Sequence, residues 1–316
     1  MTTEQKPLNS GFGATTTARE VLAGCDLTGK IAIVTGGYSG VGLETTRALA
    51  EAGATVIVPA RTQEKARAAL AGIPRVEIET LELIDPASVD AFTNRFLNSE
   101  RPLNILINNA GIMAAPLQRD ARGFESQFAT NHLGHFQLTV RLWPALKRAG
   151  KARVISVSSR GIRFGGVDFD DPNFERREYD KWKAYGQSKT ANSLFAVALD
   201  KRGEAEGIRA FSVHPGGIYT DLLRYLPAEE LAALEGSSGT LKTTEQGAAT
   251  SVWCATSPQL EGKGGVYCLD CDIAQLISDY DGHEELTGVL PWAIDPKLAE
   301  QLWKLSERMT GVNSVL

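Results

Sequence analysis

Short apolar runs alternate with helical segments along most of this chain. Seven runs have the length and side-chain content of strands, and they lie at 31–35, 54–59, 76–83, 103–109, 152–158, 208–215 and 264–269. The stretches between them, including 43–52, 63–71, 86–98, 124–148 and 184–205, carry apolar residues at helical spacing. Alternating strands and helices form a parallel sheet that is covered by helices on both faces. The pattern therefore predicts an α/β fold with a doubly wound, seven-stranded parallel sheet.

The composition does not divide the chain into two halves. Its 316 residues are 43% hydrophobic, and no repeat, charge block or Pro/Ser-rich linker interrupts the alternation. We therefore predict one domain at 29–270, with an N-terminal extension at 1–28 and a C-terminal tail at 271–316. Residues 160–182 read as a charged loop, and residues 218–245 as a small lid of short helices. In the tail, Leu298, Leu302, Leu305 and Met309 recur at helical spacing, which predicts a helix packed on the domain.

Charge and cysteine content restrict partners and compartment. The net charge of −5 argues against a nucleic-acid partner. No run of 18 apolar residues predicts a transmembrane segment, and the N-terminus lacks the features of a secretory signal, so we expect a cytoplasmic protein. Cys268 and Cys271 form a CxxC, which would suit a redox pair or half of a metal site. Because no second Cys/His pair completes such a site, we predict unrelated thiols and no metal.

The first strand leads into a glycine-rich turn. Residues 35–42 read TGGYSGVG, and a helical pattern follows at once. Glycine lets the backbone approach a pyrophosphate closely, and the N–H groups of the first helical turn then face its negative charge. A strand, a glycine turn and a helix in this order predict a dinucleotide site in a Rossmann-type fold.

The end of the second strand bears on which dinucleotide binds. Arg61 lies 21 residues after Gly40, where such a fold meets the adenosine ribose. An NAD site usually has Asp or Glu at this point to bind the ribose hydroxyl, whereas a guanidinium can pair with a 2′-phosphate. The sequence thus predicts NADP(H) as cofactor, with a solvated loop residue as the alternative reading of Arg61.

Four motifs in a fixed order resemble the short-chain dehydrogenase/reductase superfamily. They are the TGxxxGxG turn at 35–42, the NNAG at 108–111, the YxxxK at 185–189 and the Pro-Gly at 215–216. The NHLGHF at 131–136 and the long insertion before Tyr185 are most similar to retinol dehydrogenase-like and WW-domain oxidoreductase-like members.

The resemblance implies a catalytic group made of Asn131, Ser159, Tyr185 and Lys189. Tyr185 and Lys189 are four residues apart on a predicted helix, so they share one face, and the ammonium is expected to lower the pKa of the phenol from about 10. Tyr185 would then act as general acid or base, and Ser159 would bind the substrate oxygen. Ser158 remains the alternative to Ser159. Asn131 is implied to position a water that relays protons to Lys189.

The resemblance also implies the cofactor contacts. The phosphates would meet Gly36, Tyr38, Ser39, Gly40, Val41 and Gly42. Asn108 and Gly111 would lie beside the adenosine and its ribose, and Lys189 would bind the nicotinamide ribose. The nicotinamide would be cradled by Pro215, Gly216, Ile218 and Thr220. An acid that binds the adenine amine could be Glu82 or Asp85.

These inferences predict an NADP(H)-dependent oxidoreductase that interconverts an alcohol and a ketone or aldehyde. The lid contains Leu222, Leu223 and Leu231, which favours a hydrophobic small-molecule substrate, although these side chains could instead close the core or a subunit contact. Reduction of a C=C or imine bond, and NADP(H) sensing without catalysis, are the alternative functions. Relatives often assemble through the YxxxK helix, which points to a homodimer or homotetramer unless the insertion and tail cover that face.

Overall fold

The computed structural model describes residues 3–237, 241–277 and 287–313. Its sheet has the strand order β3-β2-β1-β4-β5-β6-β7-β8, in which β1 to β7 are parallel and β8 is antiparallel to β7. The strands are β1 Ile31–Val34, β2 Thr55–Ala60, β3 Val76–Thr80, β4 Ile105–Asn108, β5 Ala152–Val157, β6 Ile208–His214, β7 Val266–Leu269 and β8 Asp272–Ile273. The predicted α/β fold and its seven parallel strands are confirmed. The eighth strand was missed because two residues carry no periodic signal.

Helices cover both faces of this sheet. They are α1 Ala18–Val21, α2 Gly40–Glu51, α3 Gln63–Ala69, α4 Pro86–Asn98, α5 Ser126–Phe128, α6 Gly134–Arg141, α7 Trp143–Arg148, α8 Lys181–Gly203, α9 Ala228–Ser237, α10 Thr244–Thr256 and α11 Pro296–Thr310. One buried cluster joins the sheet to α1, α2 and α10, and another joins it to α4, α6, α8 and α11. Within the described residues, no helix has both the length and the apolar content needed to cross a membrane.

The segment predicted as one helix at 124–148 is divided. After α5, a π-helical turn spans Ala129–Leu133, and α6 and α7 follow, with Pro144 in the first turn of α7. A π-turn widens the helix by one residue and often occurs at functional sites. Here it carries Asn131 and His132, and its side chains are therefore rotated relative to those of a regular helix.

The chain outside the predicted domain packs on the sheet. Near the N-terminus, the Gln5 amide donates to the carbonyls of Tyr267 and Ala274, and the Asp272 carboxylate accepts from the Leu8 and Ser10 amides. The helix predicted in the tail forms as α11, whose Trp303 stacks on Phe195 of α8. The domain limits themselves stay a prediction.

The strand order reverses between β1 and β4, which lie side by side in the middle of the sheet. Helices that follow these two strands lead away to opposite sides, so the carboxyl ends of β1 and β4 border a crevice. Buried strands on either side make the floor of this crevice rigid, since every residue of β4 and nearly every residue of β5 is buried. The crevice is the natural place for a ligand in this kind of sheet.

Candidate active site

A cavity of about 1280 Å³ opens at the carboxyl ends of the central strands. That volume suffices for a dinucleotide together with a small molecule. Most residues predicted for the site line it: Gly36, Tyr38, Ser39, Gly40, Val41, Gly42, Arg61, Gly111, Ser159, Tyr185, Lys189, Pro215, Gly216, Ile218 and Thr220. Asn108 and Asn131 are the two predicted residues that lie behind its wall.

The glycine turn leaves room for a phosphate. Gly36 has φ +64°, which favours glycine, and a Cβ on Gly42 would come within 2.3 Å of the Gly36 carbonyl oxygen. Ser39 occupies the N-cap of α2 in an extended conformation, and its side chain does not bond to the helix. The N–H groups in the first turn of α2 are thus left to an anion in the cavity. The turn fits the pyrophosphate of a dinucleotide.

The end of the cavity where the adenosine is expected carries an ion pair. The Arg61 Nε lies 3.5 Å from a carboxylate oxygen of Glu82, and the Arg61 side chain is 73% exposed. Of the two acids left open by the sequence, Glu82 lines the cavity, whereas Asp85 caps α4 by accepting from the Ala87 amide. Lys65 also lines this end and was not predicted.

The two asparagines of the NNAG motif point in opposite directions. Asn108, the last residue of β4, is buried and donates from Nδ2 to the Thr139 hydroxyl. Asn109 lines the cavity instead, and its Nδ2 donates to the Thr35 carbonyl. Successive side chains of an extended chain alternate between the faces of a sheet, and the sequence could not tell which of two identical neighbours faces the ligand. The placement of Asn108 does not favour the cofactor contact expected of it.

Ser159 and Tyr185 meet in the cavity. The Ser159 hydroxyl accepts from the Gly161 amide at 3.0 Å and lies close enough to the Tyr185 hydroxyl to act on its pKa, and a Cβ on Gly161 would lie 2.8 Å from the tyrosine ring. Ser158 is already engaged, because its hydroxyl donates to the Lys189 carbonyl and accepts from the Ser193 hydroxyl. The geometry therefore favours Ser159 over Ser158 as the serine available to a substrate.

Burial raises the pKa of Tyr185 to about 12, and the neighbouring Ser159 hydroxyl offsets only part of this effect. The expected lowering of this pKa by Lys189 was wrong. The Lys189 Nζ lies 5.7 Å from the centroid of the tyrosine ring and donates to the Val157 carbonyl. Tyr185 is consequently a phenol at neutral pH, which is the form that gives up a proton.

Lys189 is itself buried on α8. Desolvation lowers its pKa from 10.5 to about 8 because a buried site disfavours the ammonium. The side chain keeps one hydrogen bond, to the Val157 carbonyl at 3.0 Å. Its proton is therefore held weakly enough to be exchanged in the neutral to mildly alkaline range.

Asn131 links two segments of the chain by hydrogen bonds behind the cavity wall. Its Oδ1 accepts from the Ile112 amide at 2.8 Å, and its Nδ2 donates to the Ile112 carbonyl and to the Ser188 hydroxyl, both at 2.9 Å. A Cβ on Gly111 would lie 3.1 Å from Asn131 Oδ1 and 3.5 Å from Lys189 Nζ. The side chain thus joins the loop after β4 to α8, next to Lys189.

The predicted lid contributes apolar side chains around Tyr185. Leu226 forms a buried cluster with Met113, Ala114 and Tyr185, and Leu222, Leu223 and Leu231 pack against it. The last three side chains also line the cavity. They belong to the site, so the reading that they serve only the core is disfavoured. Trp182, from the insertion before Tyr185, packs on the same cluster.

The switch point of the parallel sheet carries a glycine-lined turn, and a Ser–Tyr pair lies in the adjoining cavity. Together these features indicate an oxidoreductase that depends on a nicotinamide nucleotide. The family model described as short chain dehydrogenase matches residues 30–231. The chain belongs to this family, which confirms the resemblance in the sequence motifs.

Known proteins support the same assignment. A probable oxidoreductase from Streptomyces lividans is 46% identical over 88% of this chain and 97% of that protein. Human retinol dehydrogenase 12 is 38% identical over 90% of this chain and 88% of that protein. The solved RhlG/NADP active-site complex from Pseudomonas aeruginosa has a TM-score of 0.63 and 25% identity, covering 77% of this chain and 95% of that one.

Proposed function

We propose that the protein is an NADP(H)-dependent oxidoreductase that interconverts a hydrophobic ketone or aldehyde and its alcohol. The observation that carries the proposal is the Ser159–Tyr185 hydroxyl pair, which faces a cavity that also contains the glycine turn. Tyr185 is a phenol in this setting, so it can donate the proton that carbonyl reduction requires. The apolar cluster around Tyr185 favours a lipophilic substrate.

In the reducing direction, a nicotinamide held in the cavity would supply the hydride that the carbonyl carbon receives. Tyr185 donates its proton to the carbonyl oxygen as negative charge develops there, and Ser159 stabilises the same oxygen with a hydrogen bond. Lys189 then returns a proton to Tyr185, and Asn131 keeps the wall behind Gly111 and Lys189 in place. The leucines of the lid exclude water from the reacting carbonyl.

The proposed cofactor contacts divide the cavity into two ends. The glycine turn and the first turn of α2 would hold the pyrophosphate, and Arg61 would pair with the 2′-phosphate, with Lys65 beside it. Gly111, Lys189, Pro215, Gly216, Ile218 and Thr220 would surround the nicotinamide and its ribose. The similar RhlG structure is a complex with NADP, which supports NADP(H) as the cofactor proposed here.

The rate of carbonyl reduction should fall as pH rises through about 8. Lys189 has its pKa lowered to about 8, so it is protonated below this pH and can resupply Tyr185, whereas it is neutral above it. We expect kcat to decrease about tenfold per pH unit on the alkaline side, because one proton is lost. A pH profile of kcat from 6 to 10 measures this limb. A rate that stays constant to pH 10 would contradict the role of Lys189.

A panel of carbonyl compounds tests the proposed function. NADPH oxidation is followed with aldehydes, cyclic ketones, steroid ketones and retinoid aldehydes, and the products are identified by mass spectrometry. We expect turnover of lipophilic carbonyls to alcohols. Reduction of C=C or imine bonds with the carbonyl left intact would favour the alternative enzyme, and tight NADPH binding without turnover would favour a sensor.

A further inference from the structure

A buried histidine connects the glycine turn to the turn that carries Asn131. His135, at the start of α6, has its Nε2 at 2.9 Å from the Thr35 hydroxyl and its Nδ1 at 2.9 Å from the Asn131 carbonyl oxygen. His135, Thr35 and Asn131 are each at most 1% exposed. The imidazole does not line the cavity, so it is not a candidate for contact with substrate or cofactor.

The hydrogen bonds around Thr35 fix the direction of the first contact. The Thr35 hydroxyl oxygen already accepts from the Asn109 amide at 2.9 Å and from the Ala110 amide at 3.0 Å. Two donors use both of its lone pairs, which leaves its own O–H to donate. The imidazole nitrogen at 2.9 Å is a closer acceptor than the Ile107 carbonyl at 3.4 Å. His135 Nε2 is therefore an acceptor and carries no proton.

The second contact gives the same tautomer independently. The Asn131 carbonyl oxygen can only accept, so the His135 Nδ1 facing it must carry a proton. A neutral imidazole has one N–H, and both ends of the ring place it on Nδ1. Burial lowers the pKa of His135 to about 4, which agrees with a ring that stays neutral in the working range.

We propose that His135 is a positioning residue for the reaction, whose Nδ1–H tautomer holds the Asn131 carbonyl and, through Thr35, ties the Asn131 turn to the glycine turn. The inference rests on the proposed function of the site. The Asn131 side chain is hydrogen-bonded to the Ile112 amide and to the Ser188 hydroxyl, and Ser188 directly precedes Lys189 on α8. A displaced Asn131 would thus alter the placement of Lys189 and slow the return of a proton to Tyr185.

The neighbouring His132 offers a matched control. It is equally buried, and its Nε2 bonds to the Ser306 hydroxyl of α11 rather than to Thr35. Loss of either imidazole removes a buried hydrogen bond and should lower the thermal midpoint. A purely structural role for His135 would make the two histidines equivalent in their effect on catalysis.

The test compares His135→Phe, His135→Asn, His135→Gln and His132→Phe at a temperature where all are folded. In His135→Asn, the side-chain amide can still donate from near the Nδ1 position to the Asn131 carbonyl. In His135→Gln, the amide can reach only towards the Thr35 hydroxyl, and in His135→Phe neither contact remains. We expect kcat to fall at least roughly tenfold in His135→Phe and His135→Gln, since misplacing a reacting group by 1 Å can cost about 100-fold. His135→Asn should stay within about threefold, and His132→Phe within about twofold, of the unmodified enzyme. The dissociation constant of NADPH should change little in any of them.

Two results would overturn the proposal. One is an unchanged kcat in His135→Phe, or in His135→Gln if the Phe variant does not fold. The other is an Nε2–H tautomer in the imidazole ¹⁵N spectrum of the unmodified protein, assigned to His135 by its absence from a variant. If the unmodified enzyme reduced no carbonyl, the proposed function would fail, and the ¹⁵N spectrum would still decide the tautomer.

Discussion

Replacing Tyr185 by Phe is expected to slow carbonyl reduction by several orders of magnitude while NADPH still binds. The variant keeps the buried ring against Gly161 and the lid but removes the hydroxyl that would give its proton to the substrate oxygen. General acid catalysis of this kind contributes about 100- to 10,000-fold to a rate, and we expect kcat to fall within that range. Steady-state NADPH oxidation with the best substrate of the panel measures the effect, and fluorescence titration measures NADPH binding.

Tyr179→Phe is the control for this experiment. The Tyr179 hydroxyl donates to the Ala115 carbonyl outside the cavity lining, so its loss should affect stability more than chemistry. We expect the control to keep kcat within about threefold, because the partners of its hydroxyl, Ala115, Glu125 and Gln127, all lie outside the cavity lining. A Tyr185→Phe enzyme as active as the unmodified one would show that another group protonates the substrate.

The second large effect is expected on NADPH affinity, at the end of the cavity proposed to bind adenosine. Arg61→Ala should weaken NADPH binding about 10- to 150-fold, because a hydrogen bond between charged groups contributes roughly 1.5–3 kcal/mol. NADH has no 2′-phosphate, so its dissociation constant should change little. Comparing both dissociation constants before and after the substitution isolates the contact. An equal loss for the two cofactors, or an original preference for NADH, would contradict the assignment.

Glu82→Gln is expected to change NADPH affinity in the opposite direction from Arg61→Ala. Glu82 pairs with Arg61 at 3.5 Å and also lines the cavity, so it competes with a 2′-phosphate for the guanidinium and repels the phosphate. Its neutral isostere removes both effects. NADPH should therefore bind slightly more tightly to Glu82→Gln. Weaker binding would mean that the acid has a direct contact with the adenosine.

The sheet could be predicted from sequence because its strands are buried and separated by helices of regular period. β8 could not be predicted, since a two-residue strand leaves no period to detect. The division of 124–148 was also missed, because the π-turn at Ala129–Leu133 shifts the apolar pattern by only one residue and helical spacing continues on both sides of it. Local patterns report which elements form and carry little information on such one-residue irregularities.

Within the site, motif spacing predicted which residues come together. It could not predict the environment of each side chain. The turn at Gly36 and the pair formed by Ser159 and Tyr185 lie in one cavity as the motifs indicated. The pKa of Tyr185 could not be anticipated, because it depends on how completely α8 and the lid bury the hydroxyl. The link through His135 was missed for a similar reason, since its partners are 4 and 100 residues away along the chain.

Transfer of deuterium from NADPH labelled at C4 tests the central claim most directly. The unmodified enzyme is incubated with the labelled cofactor and a lipophilic ketone, and the product is analysed by mass spectrometry and NMR. We predict one deuterium on the carbon that bears the new hydroxyl. Deuterium on a former double-bond carbon, or an unlabelled product, would contradict carbonyl reduction at this site.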